Sequence, residues 1–305
     1  MIYTFAMPLS NRHHYIPQFI LKGFANSDGK LAVYDRKTKR LWKNPASTKQ
    51  VFFEYGRNTF DIKGNTTDFI EGLYQYVDDN FATVYQRLTS GDGFRNPSTE
   101  DMIQLGMFTG LLYWRVPNTD AENAEYVKSS DLEKLRIKIC DKSTGAAAPA
   151  DVSQQIKNEP AFIEAYRMGR PLMDMLRAAE KFDPGSWHIS QSANGQGKSL
   201  IGDNPLILLN GGLGNIFKEH LIMPLSSNHS VQHLPGSRLN QIQPKMMITI
   251  DLLTFLQAEL YVCGNDPGYL MAIASMAAPL EEKPHLVAVI QAKLFAELLN
   301  DNNIS

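Results

Sequence analysis

The chain has 305 residues, 43% of them hydrophobic and 20% charged, with a formal net charge of −2. That is enough apolar material for one large core or two modest ones, and it gives no overall positive field to hold the chain on nucleic acid. The two cysteines, Cys140 and Cys263, match no metal or redox spacing and read as buried thiols. No apolar run approaches the ~20 residues that span a bilayer. The opening "MIYTFAMPLSNR" has no basic stretch ahead of its short apolar part, so it does not read as a signal peptide. The expectation is a soluble, cytoplasmic protein.

In chain order, Pro17 suits the first turn of a short helix, on which Ile16, Ile20 and Phe24 share a face. "LAVYD" (31–35) and "KRLWK" (39–43) read as a hairpin, and "VFFEYGRNTFDI" (51–62) as irregular extended chain. Residues 67–89 form a helix with a stripe of Phe69, Leu73, Tyr76, Val77, Val84 and Leu88. Residues 98–116 open with Ser98 or Thr99 as N-cap and are apolar on nearly every side, the pattern of a buried central helix. Pro117 ends or kinks it, and a polar helix continues to about Ile139. "KSTGAAAPADVSQQ" (142–155) is a linker or a mobile loop. A helix covers 160–181, followed by strands within 186–192, 199–210 and 220–234, then helices at 250–263 and 286–299. The fold class is α+β: mainly helical, with a small N-terminal β-hairpin and a mixed or antiparallel C-terminal sheet.

"HHYIPQFILKGF" (13–24), followed by "LAVYDR" (31–36), resembles the DUF4238 family, bacterial proteins of unknown function with the N-terminal signature HHxxPQFxLxxF. Further segments are similar in the same order. They are "FFEYGRNTF" (52–60), Glu71 and Asp78 where the family carries two acids, "LLYWRVP" (111–117), "IGDNPLIL" (201–208) and "IMPLSSNHSV" (222–231). Asp78 departs from the family's glutamate, and the shorter carboxylate needs a closer partner. The resemblance runs across the 142–155 stretch, which implies a single domain over 1–305. The family's occurrence among bacterial mobile and defence genes points to a nuclease-like or toxin-like role by association alone.

The candidate site rests on six residues. His13 and His14 are adjacent, so one faces inward and the other outward; His14, nearer the helix, is the candidate ligand or base, and the alternative is that both cap the helix or bond core carbonyls. Glu71 and Asp78 are seven positions apart, and two helical turns cover about 7.2 residues, so they share a face. Arg115 ends a buried helix and needs an anionic partner: Glu71, Asp78, Asp203 or a phosphate. Asp203 sits in the "GDNP" turn. No P-loop or dinucleotide motif is present in "SANGQGKS" (192–199) or "GGLGN" (211–215), and His188, His220, His229 and His233 have no metal-ligand spacing.

Two readings follow. In one the chain is a metal-dependent hydrolase, a nuclease or phosphoesterase acting on nucleic acid or a phosphorylated substrate. Mg²⁺, Mn²⁺ or Zn²⁺ would be held by His13, His14, Glu71, Asp78 and Asp203, with Arg115 steadying a phosphate. In the other it is a non-enzymatic sensor or binding component, engaging a protein partner, in which the same residues form a structural network.

Overall fold

A computed structural model describes residues 12–62, 65–181, 183–192, 197–210, 217–235 and 241–300. The chain opens with strand β1 (Arg12–His14) and the short helix α1 (Gln18–Lys22), then β2 (Lys30–Asp35), β3 (Arg40–Leu41), β4 (Ala46–Ser47), β5 (Phe53–Tyr55), β6 (Phe60–Ile62) and β7 (Asn65–Thr67). Helices α2 (Phe69–Thr89), α3 (Thr99–Arg115), α4 (Asp120–Ser129), α5 (Ala150–Lys157) and α6 (Pro160–Lys181) follow. The C-terminal part alternates: β8 (Trp187–Ser192), β9 (Ile201–Gly202), β10 (Ile207–Leu208), β11 (Leu221–Pro224), β12 (His229–His233), β13 (Gln241–Ile242), α7 (Pro244–Gln257), β14 (Tyr261–Gly264), α8 (Pro267–Ala277) and α9 (Pro284–Asn300).

Among the described residues the strands form four sheets, which corrects the expectation of a mainly helical chain with a small N-terminal hairpin and one mixed or antiparallel C-terminal sheet. The hairpin β2–β3 is the edge of a larger sheet ordered β3-β2-β14-β9, with β4 also paired to β2. Strand β14 lies antiparallel to both β2 and β9, placing Val262 opposite Tyr34 and Gly202. The second large sheet is ordered β10-β11-β12-β8-β13 and is antiparallel except for the parallel β13–β8 pair. Strands β5 and β6, in the 51–62 stretch read from sequence as irregular, form small antiparallel pairs with β1 and β7.

Helix α7 stops six residues before the expected end, and the chain turns into β14. No Gly or Pro marks the break. The N–H groups of Glu259 and Leu260 donate instead to the two carboxylate oxygens of Asp203, at 2.9 and 2.7 Å. A tertiary acceptor thus replaces the i−4 carbonyls that would have continued the helix. The polar helix after Pro117 likewise ends at Ser129, short of Ile139. The 142–155 stretch divides into a turn held by Asp141, which accepts from the N–H groups of Ser143 and Thr144, and the first turns of α5.

Helix α2 buries Tyr74, Phe81, Val84, Tyr85 and Leu88, while Phe69 and Tyr76 of the expected stripe are 63% and 69% exposed. The main core joins Tyr15, Ile20 and Phe24 of the N-terminal motif to Phe81 of α2, Phe108 of α3, Ile189 and Val231 of the second sheet, and Cys263 of β14. Phe81 and Phe108 stack at 4.1 Å between ring centroids. Cys263 is buried, but Cys140 is exposed, against the expectation for both thiols.

Candidate functional site

A cleft of about 870 Å³ runs along one face of α2. Glu71, Gln75, Asp78, Ala82, Tyr85 and Thr89 recur at helical spacing and form its floor. One wall is the N-terminal motif, with Arg12, His14, Gln18 and Lys22; the other is the β11–β12 turn, Ser226 to His229. The walls meet at Gly23. Its carbonyl accepts the Ser227 N–H at 2.9 Å, and the Tyr85 hydroxyl bonds the Leu225 carbonyl at 3.0 Å. A Cβ on Gly23 would collide with that hydroxyl, so close approach and not backbone angle requires glycine here.

The adjacent histidines lie on β1, where alternation sends them to opposite faces. His13 is fully buried; its Nδ1 accepts the Asn58 N–H at 2.8 Å, and Asp68 and Glu71 lie 3.9 Å from its ring nitrogens. His14 faces the cleft. Burial, then the charges of Arg115 and Arg12, lower its pKa to about 4, so the ring is neutral at pH 7. Its Nε2 is buried and has no hydrogen-bond partner.

Arg115 is 3% exposed, at the last turn of α3. One nitrogen donates to both Asp78 oxygens, at 2.8 and 3.0 Å, the other to the His14 carbonyl at 2.7 Å, and the guanidinium lies 4.7 Å from the centre of the Tyr74 ring. Burial raises the Asp78 carboxyl above its usual value, with the Arg115 charge pulling the other way. Glu71 accepts the Asn58 side-chain amide at 2.8 Å. Arg57 holds Asp120 with two parallel bonds of 2.9 and 2.7 Å, bonds Glu54 at 2.7 Å, and donates to the Arg115 carbonyl at 3.3 Å. These links fasten the His-His strand to α2 and α3.

His14, Glu71, Asp78 and Arg115 therefore share one cleft, with His13 behind it. Asp203 does not: it is buried against the α7–β14 turn, and burial raises its pKa to about 6. Among the described residues, no group of three or more His, Cys, Asp and Glu is placed to hold a metal ion. The donor set expected from sequence does not fit a protein-caged ion, because Asp78 is engaged by Arg115 and Asp203 lies elsewhere.

Sequence reasoning missed Arg57 and Asn58, whose "GRNT" context gave no signal of burial, and the Ser226–His229 turn. There the Ser226 hydroxyl accepts the N–H groups of Asn228 and His229, at 3.2 and 3.1 Å, and pairs with His229 Nδ1 at 3.0 Å. His229 is 5% exposed and lines the cleft. The glycine-rich 211–215 stretch lies outside the described residues, as do 193–196 within 192–199.

No described helix is long and apolar enough to cross a membrane. No curated protein and no solved structure matches the chain. One family does: the profile described as "Protein of unknown function (DUF4238)" matches residues 12–266, and it contains every element that lines the cleft. The chain belongs to the DUF4238 family.

Proposed function

We propose that the protein is a binding component whose cleft takes a phosphorylated small molecule that also carries hydroxyl or amino groups. The observation that carries this reading is the distribution of charge. Arg115 and Asp78 pair with each other, Arg12 and Lys22 line one wall, and Glu71 and Asp79 lie on α2. A phosphate suits Arg12 and Lys22, and a hydroxyl or amine suits Glu71 and Asp79. The cleft volume falls in the ~300–1,000 Å³ range of small-ligand sites. Its acidic floor would repel a polyphosphate chain, which argues for a small ligand over nucleic acid.

A hydrolase with His14 as general base is the second reading, favoured by the neutral, unpartnered Nε2. Its weakness is basicity. A catalytic base works best with a pKa near the operating pH, and His14 at about 4 is well below it.

Thermal melts with glucose 6-phosphate, and with glucose as control, test the proposal. A ligand at a hundred times its Kd stabilises the native state by about 2.7 kcal/mol. The phosphate ester should raise Tm, glucose should not, and an Arg12→Ala/Lys22→Ala variant should lose the shift. An equal shift in that variant would place the ligand elsewhere. Phosphate release that disappears in His14→Ala would favour the hydrolase.

A further inference from the structure

The β11–β12 turn brings a second histidine to the same cleft, and its hydrogen bonds fix which nitrogen carries the proton. A hydroxyl has one donor and two acceptor lone pairs. The Ser226 hydroxyl spends its lone pairs on the backbone N–H groups of Asn228 and His229. Its own proton therefore goes to His229 Nδ1, 3.0 Å away. A neutral imidazole that accepts at Nδ1 carries its proton on Nε2. Burial lowers the pKa of His229, which keeps the ring neutral. The resulting Nε2–H is buried and has no partner in the protein. An unmade buried donor is costly, and the Ser226 turn holds this one in place. The neighbouring Asn228 adds a buried amide oxygen that is also without a partner.

His14 also lines the cleft, and its Nε2 is likewise buried without a partner.

We propose that His229 is a ligand-recognition residue, its Nε2–H donating to a phosphoryl oxygen of the bound molecule. This rests on the phosphorylated-ligand reading of the cleft and adds to it a residue, a direction for its hydrogen bond, and the turn that supplies the donor. The arrangement suits an oxyanion ligand and needs no charge on the His229 ring.

Long-range ¹H–¹⁵N correlation on the ¹⁵N-labelled full chain at pH 7 reads the tautomers directly. The expected result is Nε2–H at His229. Titration with inorganic phosphate should then shift the His229 Nε2 resonance in a saturable way. His229→Asn keeps a group at the Nδ1 position for Ser226 and removes the Nε2 donor; it should weaken phosphate binding about tenfold, the loss of one hydrogen bond of ~1.4 kcal/mol. His229→Gln, whose amide nitrogen reaches the Nε2 position, should retain more of the affinity than His229→Asn. An Nδ1–H tautomer at His229, or a charged ring at pH 7, overturns the inference with no variant needed. So does undiminished binding in a folded His229→Asn chain that still depends on Arg12 and Lys22, and that result would leave the ligand class standing. Absence of any binding of phosphate or glucose 6-phosphate would overturn both proposals.

Discussion

At the scale of single residues the molecule turns on Arg115. Its guanidinium satisfies a carboxylate on α2 and a carbonyl on β1 at once, so one side chain joins three elements. Removing it leaves Asp78 with its buried side unpaired and the His14 carbonyl without its donor. Breaking such a pair from one side costs about 3 kcal/mol, more than the pair itself contributes relative to an apolar replacement. Arg115→Met should therefore destabilise the chain by about that amount in urea denaturation. Adding Asp78→Asn to Arg115→Met should recover part of the loss, because the stranded charge is gone. Additive losses in the double variant would mean that the two residues are not coupled.

Among the elements, the α7–β14 junction shows how a tertiary contact sets a boundary. Asp203 accepts two consecutive N–H groups just past α7 and so releases 261–264 to form the strand between β2 and β9. Asp203→Asn replaces one acceptor oxygen with an NH₂ that faces a backbone N–H. That leaves a buried donor unmade, at a cost of ~1–3 kcal/mol. Hydrogen exchange should show the loss first in β14 and in its partner β2. Protection reduced only at the exposed end of α9 would contradict this account.

For the whole molecule, stability responds to pH through buried acids and histidines of opposite sign. Burial raises the pKa of Asp203 to about 6 and that of Asp251 to about 7. An acid raised in this way binds its proton more tightly when folded, so it loses stability as pH rises from its unfolded value toward its folded one. His14, His229 and His233 are lowered and act in the opposite sense below their unfolded value near 6.5. The Asp251 contribution is isolated by difference. Asp251 is bonded by the Leu200 N–H at 2.9 Å and the Tyr269 hydroxyl at 2.6 Å, and asparagine keeps its shape without its charge. The stability of Asp251→Asn relative to wild type should increase from pH 5 to pH 8. A difference independent of pH would show that Asp251 titrates at an ordinary value.

The sequence by itself determined what depends on near neighbours. Helical periodicity placed α2 and α3, Ser98 caps α3 through the Asp101 N–H as expected, and the spacing of Glu71 and Asp78 put both on one face. The N-terminal motif and its following segments were enough to identify the family. Tertiary structure alone decided what depends on distant partners. The end of α7 was hidden because its stop signal, Asp203, lies more than fifty residues earlier in the chain. Strand β14 was read as helix because both its faces are buried, so its apolar run shows no alternation. The same cause hid His229. No local pattern shows that a histidine in a tight turn will line a cleft with one ring nitrogen buried and unpartnered; the folding of that turn onto Gly23 brings it there.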